Sequence, residues 1–232
     1  MLKKGFLAIL VSLLIFLTGC TSNEGKTSKR SNPGAIYFDY NIWGDEESGM
    51  VTVKLQFRNG GLGGMSVVLN EPAKVEFDGE ELRVDSSRMN GAWYEINKTL
   101  KDFPTRHRLV FTDIDEKQYQ EDFNFNVFYL STELPKKVKR DDIVFEFEGL
   151  EPEDYIRVLL TDTSFYGRGI DRLDTVRNGQ IIITRQDLEN LKSGPVSVEF
   201  YREEEKALLQ TTRQGGRLST SYGLKRVFEL KD

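Results

Sequence analysis

Carboxylates are the most numerous side chains in this 232-residue chain that could carry out a reaction, with 37 Asp and Glu residues in all. Two carboxyl groups held about 5 to 9.5 Å apart can hydrolyse a glycosidic bond, one as the acid and the other as nucleophile or base. Spacing along the chain does not fix that distance in space. A carboxylate-dependent polysaccharide-processing enzyme is therefore one hypothesis that the composition leaves open.

The acidic segment Asp113-Ile114-Asp115-Glu116 could offer oxygen ligands to a calcium ion. An EF-hand loop, however, needs a central glycine and an acid at its twelfth position, and this segment has neither. We predict that it is a turn between two strands, and we predict no metal and no other cofactor for this protein.

Histidine chemistry is limited because His107 is the only histidine. A single imidazole cannot form a His-based zinc cluster and can serve at most one catalytic triad. His107 lies between Arg106 and Arg108 in a strand-like run, and these cations disfavour its protonated form. We predict an edge or surface position for it. The Gly-x-Ser-x-Gly, Walker and dinucleotide-binding motifs are also missing, so we predict no catalytic residue and no enzyme activity.

Aromatic side chains beside turns are the better candidates for binding. Trp43 directly precedes the acidic segment Gly44–Gly49, and Trp93-Tyr94 follows Asn90-Gly91 at the start of a predicted strand. Exposed rings of this kind stack on sugars or anchor a protein partner, whereas buried rings belong to the core. Trp43, Trp93 and Tyr94 are therefore candidate ligand contacts, although for Trp93 we favour a place in the core.

Alternating apolar residues predict the strands that must position these rings. Val51, Val53, Leu55 and Phe57 alternate with polar residues, which places them on one face of a sheet. The same period of two recurs in the segments Ile36–Ile42, Leu109–Phe111, Phe123–Val127, Ile156–Leu160 and Val196–Phe200. Asp78-Gly79 and Asn178-Gly179 are typical of tight turns. One short helix is expected, because Thr184 can cap it and Asp187 completes a capping box.

This pattern predicts an all-β chain of two tandem immunoglobulin-like β-sandwiches, with residues 34–131 in the first and 143–232 in the second. Residues 132–142 form the predicted linker. It contains the basic run Lys136–Arg140, which is followed at once by two aspartates and therefore favours a solvated segment. The one short helix lies in the second sandwich. A single large β-domain of the same length is the alternative.

The amino-terminal residues resemble the leader of a bacterial lipoprotein. Two lysines are followed by an apolar run, Gly5–Leu17, which is too short to span a bilayer as a helix. Leu17-Thr18-Gly19-Cys20 then resembles a lipobox. The resemblance implies a signal peptide over residues 1–19 and a lipid-modified Cys20, with palmitate among its acyl chains. Residues 20–33, which are polar, then form a flexible tether. Two or three acyl chains would hold the protein firmly at a membrane.

Two further segments resemble parts of tandem-domain, Bacteroidetes-like envelope lipoproteins of unassigned function. They are Val51–Gly79, with its glycine-rich turn Gly60–Gly64, and the tail from Gly215 to Leu230. The resemblance implies an immunoglobulin-like fold and a place in the cell envelope, at the periplasmic or the surface face of the outer membrane. It brings no catalytic residue with it.

Charge narrows the choice of partner. Removing Lys3 and Lys4 with the leader leaves 30 Lys and Arg residues against 37 Asp and Glu residues, a net charge of −7. An acidic chain of this kind is a poor match for nucleic acid. We therefore predict a non-catalytic envelope lipoprotein that binds or scaffolds a protein partner or a glycan. The alternatives are the carboxylate-dependent enzyme and a structural subunit of a surface fibre joined by strand addition.

Overall fold

A computed structural model describes residues 35–103, 105–163 and 169–232 of the chain. The predicted signal peptide, Cys20 and the predicted tether lie outside the described residues. Within the described part, no helix has the length and apolar character needed to cross a membrane.

The described residues are almost entirely β-structure, as the alternating pattern predicts. In the first half of the chain the strands are β1 (Ile36–Asp45), β2 (Met50–Asn59), β3 (Met65–Ser66), β4 (Lys74–Phe77), β5 (Glu80–Glu81), β6 (Val84–Ser87), β7 (Gly91–Thr99), β8 (Arg106–Thr112), β9 (Gln118–Asn124) and β10 (Tyr129–Leu130). A 3₁₀ turn, Leu100–Asp102, separates β7 from β8. The second half contains β11 (Lys137–Val138), β12 (Ile143–Glu148), β13 (Tyr155–Asp162), β14 (Ile170–Thr175), β15 (Gln180–Ile183), helix α1 (Arg185–Glu189), β16 (Gly194–Ala207) and β17 (Gly216–Leu230).

The first sandwich packs the strand series β6-β7-β2-β1-β17 against the sheet β5-β4-β8-β9. Apolar residues of each strand alternate inward, so aromatic rings from the two layers meet in the core. The Phe57 ring lies 4.8 Å from that of Phe111, and the Phe38 ring lies 5.0 Å from it, measured between centroids. These contacts join β1 and β2 to β8 across the sandwich.

The second sandwich packs β14-β13-β16-β17 against the small sheet β10-β12-β15. Phe200 is fully buried, and its ring lies 4.9 Å from the ring of Phe145 and 5.0 Å from that of Phe147. The predicted helix is confirmed: the Thr184 hydroxyl and the Asp187 carboxylate form both halves of the capping box. The predicted all-β architecture of immunoglobulin-like sandwiches is therefore confirmed.

The two strands at the carboxyl end run through both sandwiches. β16 and β17, with 14 and 15 residues, pair with each other along their whole length. The first half of β17, from Gly216 to Gly223, pairs in parallel with β1, whereas Arg157–Asp162 of β13 pairs with the first half of β16. One continuous sheet thus contributes a layer to each sandwich.

The predicted linker also takes part in this sheet, since β11 pairs in parallel with Glu229 and Leu230 at the end of β17. Tyr222 of β17 adds side-chain packing, because its buried ring meets the rings of Phe125 and Phe128 edge-on. The division at residues 132–142 stays a prediction. Strand pairing and core packing both continue across it.

The shared hairpin leads us to expect that the two sandwiches unfold together. Replacing Phe200 by Ala should lower the free energy of unfolding by about 3 to 5 kcal/mol, because it leaves a cavity between two Phe rings. Both tryptophans lie in the first sandwich, so their fluorescence reports on the half that Phe200→Ala does not touch. We expect fluorescence and far-ultraviolet circular dichroism to give the same lowered midpoint.

The matched control is Val227→Ala, since Val227 is 62% exposed and its truncation should change stability by less than about 0.5 kcal/mol. A fluorescence midpoint that stays at the wild-type value while the circular dichroism transition splits would show two independent domains instead.

Candidate functional site

A candidate binding surface lies where β1, β17 and β16 run side by side on the outward face of the continuous sheet. Trp43 of β1 is paired with Ser221 of β17, which in turn is paired with Glu203 of β16. Directly paired residues point to the same face of a sheet. The three side chains therefore form a row across the strands, about 10 Å from first to last.

Two adjoining depressions flank this row, and together we call them the Trp43 trough. Both share Trp43 and Ser221. The first extends along the strands toward the side chains of Asn41, Ser219, Glu203 and Glu205. The second extends the other way and is lined by Gly44, Asp45, Glu47, Glu199, Tyr201, Gly223 and Lys225. Most of the residues that line the two depressions are polar, and the strands form their floor.

Trp43 is exposed because of the strand alternation that buries its neighbours. Phe38, Tyr40 and Ile42 point into the core with at most 2% of their surface exposed, whereas Trp43 on the opposite face is 41% exposed. The structure thus places this predicted contact residue in the open, in the middle of the trough. Its role as a ligand contact stays a prediction.

Tyr201 is a second aromatic residue of the trough, and the sequence reasoning missed it. One edge of its ring lies directly above Gly223, where a Cβ atom would come within 2.7 Å of Cε1 and 2.9 Å of Cδ1. A glycine at this position therefore lets the ring lie close to the sheet. A signal was present, since Tyr201 follows the buried Phe200 in a predicted strand and so points outward.

The Tyr201 hydroxyl donates a hydrogen bond to a carboxylate oxygen of Glu199 at 2.6 Å. Burial, reinforced by this neighbouring carboxylate, raises the pKa of Tyr201 to about 12. The same hydrogen bond is the main reason that the pKa of Glu199 is lowered, with Lys225 assisting. At neutral pH the phenol is therefore protonated and the carboxylate is ionised, which favours positioning roles over proton transfer.

The other two predicted contact residues lie away from the trough. Trp93 on β7 is half-buried, and the Lys54 ammonium group lies 4.3 Å from the centroid of its ring. Tyr94 is only 5% exposed, its hydroxyl accepts a hydrogen bond from the backbone N–H of Leu69 at 2.7 Å, and its ring packs edge-on against Phe57. Tyr94 is therefore corrected to a core residue, because the alternation of β7 turns it inward.

The predicted edge or surface position of His107 is wrong, since the residue is only 2% exposed. On β8 it shares the inward face with Leu109, and its ring lies 3.8 Å from that of Phe103 between centroids. Nδ1 lies 2.8 Å from a carboxylate oxygen of Asp78. The prediction relied on Arg106 and Arg108. Their side chains point to the opposite face of the strand from His107, because neighbouring strand residues alternate between the two faces.

The predicted turn at Asp113 is confirmed. Its carboxylate accepts hydrogen bonds at 2.9 Å from the backbone N–H groups of Asp115 and Lys117, and so closes the connection between β8 and β9. Among residues 35–103, 105–163 and 169–232, no three His, Cys, Asp or Glu side chains gather in a way that could hold a metal ion.

Comparison with known proteins adds little beyond the fold. No protein-family profile and no curated protein matches the chain. Several solved structures resemble it at low sequence identity, and three of them are described here. The first is a 1.5-MDa bacterial ice-binding adhesin, at 10% identity over 85% of this chain and 65% of that one, with a TM-score of 0.25.

The second is SGBP-B of the Bacteroides ovatus mixed-linkage glucan utilization locus in complex with a heptasaccharide, at 9% identity over 79% of this chain and 53% of that one, with a TM-score of 0.22. The third is a set of titin domains, at 12% identity over 85% and 65%, with a TM-score of 0.28. The chain thus spans 53 to 65% of the length of these structures. At such TM-scores the likeness assigns neither a family nor a ligand.

The raised pKa of Tyr201 gives a direct test of the trough geometry. Replacing Glu199 by Gln removes the carboxylate that holds the Tyr201 proton, so the pKa of Tyr201 should fall from about 12 toward the ordinary value of 10. Titration of the tyrosine Cζ carbons by nuclear magnetic resonance measures this change. Glu229→Gln, an equal loss of charge beside Lys231, is the control. An unchanged Tyr201 pKa in Glu199→Gln would contradict the hydrogen bond.

Proposed function

We propose that this protein is a non-catalytic glycan-binding module of the bacterial cell envelope, and that it binds its ligand in the Trp43 trough. The observation that carries the proposal is the exposed indole of Trp43 at the centre of an open trough with polar walls. A sugar ring has an apolar face that packs on an aromatic ring and hydroxyl groups that need polar partners. The trough supplies both kinds of surface.

The shape of the surface supports a polymeric ligand. Both depressions are open, and they continue on either side of Trp43 along the strand direction. A chain of sugars can therefore enter at one end and leave at the other. A closed pocket would instead suit a single small molecule.

The state of the carboxylates favours binding over hydrolysis. A glycosidase needs one carboxyl group that remains protonated near neutral pH. In the trough the pKa of Glu199 is lowered, and Glu205 accepts hydrogen bonds from Arg217 at 2.9 Å and from Ser219 at 3.0 Å. Glu199 is thereby stabilised as an anion, and the oxygens of both carboxylates can accept hydrogen bonds from sugar hydroxyls.

The edge strand β14 gives little support to the alternative hypothesis, a fibre subunit joined by strand addition. Arg172 of β14 points across the open edge of the second sandwich, where it donates hydrogen bonds to Asp174, to Asp187 at 2.6 Å and to the Ile182 carbonyl oxygen. An inward-pointing charge on a short edge strand is a common obstacle to the addition of another strand.

Attachment to a membrane through Cys20 is the second part of the proposal. Mass spectrometry of the protein from native membranes should find a chain that begins at Cys20 and carries fatty acyl groups, since acylation at this position gives the chain its anchor. Cys20→Ala should leave the protein out of the membrane fraction. An unmodified Cys20 thiol or a retained Met1 on membrane-extracted protein would refute this part.

Binding itself is tested by replacing Trp43. In calorimetric titrations of the mature lipoprotein in detergent with a panel of soluble polysaccharides, Trp43→Ala should weaken the best ligand at least about tenfold, as expected for a central aromatic contact. Trp93→Ala is the matched control, because Trp93 is the other tryptophan and does not line the trough. Its affinity should stay within about twofold of wild type.

Two outcomes would contradict this assignment. If wild-type protein binds no glycan in the panel but captures a protein from envelope extracts, the module serves a protein partner. If Trp93→Ala loses glycan binding and Trp43→Ala keeps it, the ligand lies on β7 instead of in the trough. The circular dichroism midpoint of each variant shows that it is folded.

A further inference from the structure

Resting on the proposed glycan-binding function, we infer that the Trp43 trough selects extended, uncharged glycans and rejects anionic ones such as uronate-bearing or sulfated chains. The inference concerns the charge and length of the ligand, which the exposed indole alone does not set.

Both depressions of the trough have acidic walls. Glu203 and Glu205 project from β16 into the first depression, on the face that carries Trp43, and Asp45 and Glu47 line the second. Of the described residues that line the trough, Lys225 alone carries a positive charge, and its ammonium group lies 3.6 Å from Glu199. An anionic ligand would therefore come close to several carboxylates and would be repelled by them.

The cations beside the trough are already held by other acids. The Arg217 guanidinium group donates to buried Asp39 at 2.9 Å as well as to Glu205. The Arg157 guanidinium group forms two hydrogen bonds to Asp171, both at 2.7 Å, and comes no closer than 3.6 Å to Glu203. Because each of these arginines faces more than one carboxylate, neither is free to neutralise a bound anion.

Asp45 contacts neutral donors. Its carboxylate accepts hydrogen bonds from the backbone N–H and the hydroxyl of Ser48, at 2.7 and 2.8 Å. These donors orient the carboxylate without pairing it with a cation. The electrostatic potential over the trough should therefore be negative, and salt should screen it.

The length of the trough sets the second part of the inference. Its lining residues on β17 run from Ser219 to Lys225, six residue steps or about 20 Å at the rise of a β-strand. Trp43 lies opposite Ser221 and Tyr201 opposite Gly223, so the two aromatic rings occupy successive positions along this path. A monosaccharide would contact only one of them, whereas a short oligosaccharide reaches both.

The test compares each neutral polysaccharide that binds with its own carboxymethylated derivative, by calorimetry on the mature lipoprotein in 20 mM and 500 mM NaCl. Dextran, hydroxyethyl cellulose and galactomannan serve as the neutral set. We expect the derivative to bind at least about tenfold more weakly than its neutral parent in 20 mM NaCl. This gap in affinity should shrink in 500 mM NaCl. Oligosaccharides of the best polymer should bind more tightly with length until about 20 Å is filled.

The double variant Glu47→Gln/Glu203→Gln should narrow the difference in affinity in 20 mM NaCl by about threefold or more, because it removes one carboxylate from each depression of the trough. Glu229→Gln, an acid outside the trough, is the charge control and should leave the gap unchanged. The circular dichroism midpoint reports on the folding of each protein, and the difference in affinity is always measured between the neutral polymer and its derivative on the same protein.

The remaining outcomes distinguish a failure of the charge inference from a failure of the proposed glycan-binding function. If the carboxymethylated polymer binds as tightly as its neutral parent in 20 mM NaCl, the charge inference is overturned while the glycan-binding function stands. If the gap exists but the double variant does not narrow it, the selectivity does not come from the trough. If no polymer binds to the wild-type protein, the proposed function itself fails.

Discussion

The parallel pairing of β17 with β1 is the interaction on which the rest of this structure depends. It joins Phe38–Asp45 to Gly216–Gly223, segments that lie at opposite ends of the described chain. Parallel strands need a long connection, and here nearly the whole fold serves as that connection. The pairing closes the first sandwich, carries the β16–β17 hairpin into the second and brings Glu203 onto the face that holds Trp43. The trough therefore exists only once the chain is fully folded.

A buried acid reinforces this pairing. The Asp39 side chain is only 3% exposed, and its two oxygens accept hydrogen bonds from Arg58 of β2 and Arg217 of β17, at 3.0 and 2.9 Å. One carboxylate thus connects β1 to both of its neighbours. A buried carboxylate is costly unless it is paired in this way, so the arrangement penalises a shift of either strand. The same bonds draw Arg217 away from the open part of the trough.

The site follows from the sheet in a simple manner. A continuous sheet offers a long surface that extends along the strands. The outward residues of three adjacent strands supply an indole, hydroxyl groups and carboxylates in rows. Such a surface suits the binding of an extended chain better than it suits the enclosure of a reacting bond. The edge at β14 fits the same picture, because the Arg172 side chain that crosses it is an obstacle to the addition of another strand.

The sequence by itself determined the local features. Alternation of apolar residues located β1, β2, β13 and the start of β16, the capping residues located helix α1, and Asp78-Gly79 and Asn178-Gly179 marked turns where the described residues have positive φ angles. These features depend on neighbours a few residues away, so the printed order of residues is enough to define them. The outward position of Trp43 follows from the same alternation.

Only the tertiary structure decided which strands lie side by side. A period of two gives a strand two faces but does not say which face is covered or which strand is its neighbour. For that reason the sequence did not show that Tyr94 and His107 are core residues, or that Tyr201 lies in the same trough as Trp43. The register between residues almost 180 positions apart, as in the bond from Arg217 to Asp39, is set by packing of the whole molecule and leaves no local trace in the sequence.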